Sequence, residues 1–378
     1  MAVRFSFYYA AIFLAVGIHM PFWPAWLKYR GLDPAEISLI LSVGVWIRAF
    51  ANPLIAHFAD KSGAHKKIIV ISAGGGVITG IADGFWALFI VNLLASAMFM
   101  VLIPLGENLA SRASVEHGFD YGRVRLWGSI TFILAAYIGG WVVERSGDEA
   151  ILWMIVAAMI AAFAAGFGLP ERPARDRPVV RFPAFVLLKQ KSFLVFIAAV
   201  SLLQSSHAVL YVFGTIHWRE AGLPDQVIGA LWAEGVIAEI ILFAFSGAVL
   251  ARVSPIRLMY IAAIGGLVRW IILANTTDIG MLFATQWLHG LTFGAAHLAA
   301  IHYMLRTVPE HMSASAQSLY SGFSVGLVMG LTMLVAGGLY ESMAGGAFYA
   351  MIALSAGGGA AAIWLSRINA CDRVAEDA

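Results

Sequence analysis

Twelve apolar runs, each close to the length of a bilayer-crossing helix, dominate the chain and constrain its fold more than any motif. Bounded by charged residues or Pro/Gly breaks, they cover about 5–27, 36–58, 67–85, 87–108, 124–144, 150–169, 192–218, 226–250, 257–275, 279–304, 317–341 and 346–366. A helix needs ~20 apolar residues to cross the hydrocarbon core, so the pattern predicts an all-α membrane protein of twelve transmembrane helices. Composition agrees: 61% of the 378 residues are hydrophobic and 12% charged, against about 25% charged in soluble domains. A soluble enzyme, a disordered chain and a nucleic-acid binder are excluded. The single cysteine, Cys371, permits no internal disulfide. The first run ends in Trp26-Leu27-Lys28 without the small residues of a cleavage site, so it is expected to remain as the first span.

Basic residues set the expected direction. With the N-terminus in the cytoplasm, eighteen of the 24 Lys and Arg fall on the inner side and four (Lys28, Arg30, Arg145 and Arg219) on the outer side. Both termini are then cytoplasmic, in a multi-pass protein of the cell inner (plasma) membrane. The one sizeable polar stretch runs from Pro170 to Lys191 and opens Pro-Glu-Arg-Pro-Ala-Arg-Asp-Arg-Pro, too charged for lipid and too proline-rich for a continuous helix. It divides an N-terminal six-helix bundle, 1–169, from a C-terminal six-helix bundle with a short tail, 192–378, leaving 170–191 as a cytoplasmic linker.

An internal repeat supports the division. Gly31-Leu32, Ile37 and Gly44 recur 191 positions later as Gly222-Leu223, Ile228 and Gly235. Two six-helix repeats predict a secondary transporter, with a midplane site between halves that rock about it. No Gly-x-x-x-x-Gly-Lys-Ser/Thr loop is present, so energy must come from an ion gradient or the solute's own gradient.

Charged residues inside the runs carry the functional reading, since each costs ~2.5–3.5 kcal/mol to insert at mid-bilayer. Arg48 lies in the second run, Glu239 in the eighth and Arg269 in the ninth. Arg48 maps onto Glu239 under the repeat, and Arg48 or Arg269 is the cation expected near a solute carboxylate. Glu239 beside Arg269 suits a carboxyl that gains and loses a proton between two access states; a structural ion pair is the plainer alternative. His19, Phe22, Trp23 and Trp26 in the first run, and Gln204, His207 and Tyr211 in the seventh, have spacings that place each set on one helix face. These stripes are read as a surface for an aromatic solute, the alternative being an interfacial aromatic belt. Glu107 and Arg125, eighteen residues apart across one turn, form a candidate substrate-contacting or gating pair. His297 and His302, five apart, do not match an i, i+4 metal pattern, so neither metal nor cofactor is expected.

With these residues in place, the chain resembles the major facilitator superfamily. Asp60-Lys61-Ser62-Gly63-Ala64-His65-Lys66-Lys67 is similar to its loop signature between spans two and three, with Ala56 for the leading Gly and His65 for an Arg. The resemblance implies a gating role for Asp60, Lys61 and Lys67. Within the superfamily the chain resembles the phenylpropionic acid porters, through Pro21-Phe22-Trp23, the run Asp120-Tyr121-Gly122-Arg123-Val124-Arg125-Leu126-Trp127-Gly128-Ser129, Leu202-Leu203-Gln204 with His207-Ala208, Gly266-Leu267-Val268-Arg269-Trp270 and His297-Leu298-Ala299-Ala300. That likeness implies proton-linked uptake of an aromatic monocarboxylate such as 3-phenylpropionate. The Tyr-Gly-Arg-Val-Arg segment also resembles the oligosaccharide and nucleoside proton symporters. The sugar carriers imply substrate contact for Glu107 and Arg125 and proton coupling for Glu239, Arg269 and His297. No carboxylate follows His297 in its run, which shifts the coupling role toward Glu239. A proton-coupled efflux antiporter for amphipathic compounds fits the same architecture. The implied partners are a small-molecule substrate, a proton and the lipid bilayer; nucleic acid is excluded and no oligomer is implied.

Overall fold

The computed structural model describes residues 1–62, 64–75, 83–99, 101–170 and 184–376; inside the helices, the side chains of 48, 50–54, 56–61, 74–75, 184 and 371–376 lie outside the description. Most of the linker, and the side chains of Arg48, Asp60 and Lys61, therefore fall outside the described residues. What is described is almost wholly helical. In chain order the α-helices are α1 Ala2–Tyr29, α2 Pro34–Ser62, α3 His65–Gly75, α4 Phe85–Phe99, α5 Leu102–His117, α6 Tyr121–Ser146, α7 Glu149–Phe167, α8 Ala184–Leu187, α9 Lys191–Ser205, α10 Ala208–Glu220, α11 Asp225–Ala244, α12 Ser246–Leu250, α13 Pro255–Asn275, α14 Ile279–Gln286, α15 Ala295–Thr307, α16 Ser313–Tyr320, α17 Met329–Met343 and α18 Phe348–Glu376.

Among the described residues, eight helical stretches are long and apolar enough to cross a membrane. The twelve runs reach that figure unevenly, for local reasons. α3 runs into undescribed residues, and α2 counts only as the shorter apolar helix Pro34–Ile47. Gln286 and His289 dilute the run that holds the π-helical turn Gly290–Gly294, and the stretch Glu310–Ala370, which passes through a second π-helical turn at Ser321–Val328, holds two runs. Several boundaries follow from sequence chemistry. Asp33 and Glu36 form a reciprocal capping box at the start of α2, with Glu36 N–H donating to Asp33 Oδ1 at 2.8 Å and Asp33 N–H to Glu36 Oε2 at 3.1 Å. Asp120 caps α6 and Asp278 caps α14 by accepting the N–H three residues on.

The sequence repeat is visible as backbone geometry. Gly31 and Gly222, 191 residues apart, both take φ +85°. After α1, Leu32 N–H reaches Leu27 O and Gly31 N–H reaches Lys28 O; after α10, Leu223 N–H reaches Trp218 O and Gly222 N–H reaches Arg219 O. Both are Schellman ends, which need a left-handed residue at the glycine position.

By packing, the chain forms two compact units, Met1–Pro178 with Val212–Ala233, and Val179–Tyr211 with Glu234–Ala378. In the first, α1 packs along α6 and α7, and α2 along α4. Gly17 lets α1 approach α6 so closely that a Cβ there would stand 2.7 Å from the Phe132 carbonyl oxygen. The four basic residues assigned to the outer side are engaged in this unit. Arg219 pairs with Asp148 and Asp225, both at 2.6 Å, Arg30 with Asp83 at 2.9 Å, Lys28 with Glu220, and the Arg145 guanidinium lies over the Trp141 ring. In the second unit, α13 packs between α18 and α15, and α9 lies along α18.

Candidate functional site

The polar centre of the second unit is built around Arg269. The guanidinium is buried, the residue being 1% exposed, and among the described residues no carboxylate bonds to it directly. Its two terminal nitrogens are met by neutral acceptors instead, while Nε has no hydrogen-bond partner among the described residues: Nη2 donates to Gln286 Oε1 at 2.8 Å, and Nη1 donates to His289 Nδ1 at 2.9 Å and to Thr292 Oγ1 at 3.1 Å. Because an arginine only donates, His289 Nδ1 must be the acceptor and the ring proton sits on Nε2. That nitrogen is 3.8 Å from Glu239 Oε2. His289 thus stands between the cation and the carboxyl that the sequence places side by side.

The rest of the network follows by the same logic. His207 Nδ1 donates to the Gln204 carbonyl at 3.0 Å, so Nε2 accepts from the Thr292 hydroxyl at 3.0 Å. His207 occupies a turn between α9 and α10, and its ring stacks on Tyr211 at 5.7 Å. The seventh-run stripe therefore meets the network through His207, while Gln204 contributes its backbone carbonyl. His297, two turns beyond His289, hydrogen-bonds Tyr320 Oη at 3.1 Å. The rings of His289, Phe293 and His297 form a parallel ladder, with centroids 5.3 and 6.1 Å apart. The π-turn at Gly290–Gly294 lies within this ladder and alters the helical register there.

The first unit carries an aromatic cluster. His19 stacks on Trp23 at 5.4 Å and Trp23 on Trp26 at 4.6 Å, with interplanar angles of 16° and 13°. Trp23 Nε1 donates to Asn92 Oδ1 at 3.1 Å. Phe22 is not part of this stack; it is buried against Gly139 of α6. Glu107 and Arg125 are brought together at 3.4 Å. The Arg125 guanidinium also sits 4.2 Å from the Phe13 ring centroid, in space that Gly128 leaves open. Lys67 is exposed in the first turn of α3. Sequence reasoning missed Gln286, His289, Thr292 and Asn92 as partners. The available signal was polar residues at i, i+3 and i+6 in one apolar run and a lone Asn in another.

A family model described as the MFS_1-like family matches residues 2–351. The chain belongs to that family, within the major facilitator superfamily. Its curated relatives include the "Probable 3-phenylpropionic acid transporter" of Escherichia coli (strain K12), 33% identical over 91% of this chain and 92% of that one. The "Maltose permease" of Geobacillus stearothermophilus is 27% identical over 91% and 89%. Among solved structures, the nucleoside transporter NupG superposes with a TM-score of 0.84 at 18% identity, over 97% of this chain and 98% of that one. At that identity the match shows the fold alone, the major facilitator fold expected from the sequence. This MFS_1-like protein is a multi-pass membrane transporter and not an enzyme.

Proposed function

We propose that the protein is a proton-coupled importer of an aromatic monocarboxylate of the 3-phenylpropionate class, seated in the inner membrane with both termini cytoplasmic. The observation that carries the coupling is the chain Glu239–His289–Arg269. A carboxyl that receives a proton there changes what His289 Nε2–H faces, and His289 is bonded directly to the buried cation. Protonation of Glu239 thus alters the hydrogen-bond and charge balance around Arg269, which a carrier needs if proton and solute are to move together. Arg269 is held by Gln286, His289 and Thr292 as the fixed charge of this network. Arg48, one turn beyond Gly44 in α2, is the cation assigned to the solute carboxylate. The His19–Trp23–Trp26 stack is assigned to its ring. The name of the 33% identical relative supports that solute class.

The Glu107–Arg125 ion pair favours a second reading, a sugar or nucleoside symporter, because such a pair presents both acceptors and donors to hydroxyl groups. Competition for uptake by a disaccharide and a nucleoside separates the two. The coupling is tested with Glu239→Gln in proteoliposomes. Uphill accumulation driven by a proton gradient is lost, while exchange of preloaded solute persists. Full accumulation by the variant removes Glu239 from the mechanism.

A further inference from the structure

α4 is an apolar helix in which Asn92 stands out, 5% exposed and deep in the first unit. A buried amide is costly unless its hydrogen bonds are met. Asn92 meets them in two directions: Oδ1 accepts the Trp23 indole N–H at 3.1 Å, and Nδ2 donates to the Ile40 carbonyl at 3.2 Å. Room for the amide is made by Gly44, where a Cβ would come within 2.9 Å of Ser96 Oγ and 3.2 Å of Asn92 Nδ2. Three helices therefore converge on one side chain, and α1 contributes an indole.

An indole has one polar atom, so a single hydrogen bond fixes the rotation of the ring about its χ2 axis. Fixing Trp23 fixes the stack. His19 and Trp26 both stack on Trp23, near-parallel to it. Trp23 and Trp26 are buried, whereas His19 is partly exposed and also lies 6.2 Å from Phe99. His19 is the partly exposed end of the stack.

We infer that Asn92 is a positioning residue for solute selectivity, holding Trp23 so that His19 presents its ring face to the aromatic part of the transported acid. The inference rests on the reading of an aromatic carboxylate as solute and adds the residue that sets the preference. Asn92 acts through Trp23 and does not itself touch solute. Its loss therefore weakens recognition of a ring and leaves recognition of a carboxylate intact.

The experiment measures initial uptake of radiolabelled 3-phenylpropionate and of octanoate, an aliphatic acid with no ring, by the full chain in proteoliposomes under an imposed proton gradient. In Asn92→Leu, KM for 3-phenylpropionate rises about tenfold, equivalent to ~1.4 kcal/mol, with Vmax unchanged. KM for octanoate stays within about twofold, so the selectivity ratio falls by roughly the same factor of ten. Trp23→Phe, which keeps a ring and removes the N–H donor, lowers the ratio in the same direction and serves if Asn92→Leu does not fold. A wild-type preference for the aromatic acid that survives unchanged in either variant overturns the inference alone. A wild-type protein that shows no such preference overturns the reading of the solute, and the inference with it.

Discussion

The two units use the same local device for different purposes. In the first, Gly44 of α2 makes room for Asn92 of α4, and the amide holds an indole from α1. In the second, Gly235 of α11, 191 residues after Gly44, lies against Gln286 and His289, and the Gln286 amide holds the guanidinium of Arg269 from α13. A glycine beside an amide has been kept, while the group that the amide holds has changed from a neutral ring to a cation. The first arrangement presents aromatic surface. The second keeps a charge where lipid would reject it, with a histidine leading from it to a carboxyl. Under the function proposed above, the two units would divide solute recognition and ion coupling between them without a change of helices.

Removing the two amides is expected to have unequal consequences. A hydrogen bond to a charged group contributes ~1.5–3 kcal/mol, and neutral interhelical bonds in membranes average about 0.6 kcal/mol. Gln286→Leu withdraws an acceptor from buried Arg269 and is expected to cost about 1.5–3 kcal/mol. Asn92→Leu withdraws two neutral bonds and is expected to cost about 1 kcal/mol. Thermal unfolding of the purified variants in one detergent compares them. Equal losses would mean that Arg269 does not depend on its neutral acceptors in the way the geometry indicates.

Much of this was legible in the sequence, for reasons that also explain what was not. Span length is imposed by bilayer thickness, so the apolar runs could be counted directly. The repeat was readable because Gly31 and Gly222 are both required by a left-handed helix end. Arg269 stood out because a charge in an apolar run is expensive. Phe22 was misassigned to the His19 face. With about 100° per residue, Trp23 falls roughly 40° to one side of His19 and Trp26 roughly 20° to the other, whereas Phe22 lies about 60° away, beyond Trp26, and packs on α6. His289 was passed over because the coupling pair was read as direct contact between Glu239 and Arg269. The π-turn beside it alters helical register, and Gly290-Leu291-Thr292-Phe293-Gly294 does not announce one. Asn92 was invisible because one amide in an apolar run says nothing of which donor it meets.

The glycines sharpen the comparison at smaller scale. A methyl group at Gly44 would meet the Ser96 hydroxyl and the Asn92 amide at distances that force both to shift. Overpacking of this kind costs ~1–3 kcal/mol, against a helix-propensity gain of about 1 kcal/mol for Ala over Gly. Gly44→Ala is expected to lose about 1 kcal/mol net and to reduce Trp23–Asn92 bonding, read as a shift in tryptophan emission. No change in either quantity would show that the amide does not need that space.

At Gly235 the same substitution should act in the opposite direction. A Cβ there would sit 3.6 Å from Gln286 Oε1 and 3.6 Å from His289, ordinary van der Waals contact with no atom obliged to move. With the propensity term unopposed, Gly235→Ala is expected to be neutral or to stabilise by up to ~1 kcal/mol, and uptake should stay within about twofold. The second amide thus has slack that the first lacks, as expected where a cation with several acceptors is held rather than a ring with one donor. A destabilised Gly235→Ala protein would mean that the Gln286–Arg269–His289 network is packed as tightly against α11 as Asn92 is against α2, and the proposed difference between the units would fail at its most sensitive point.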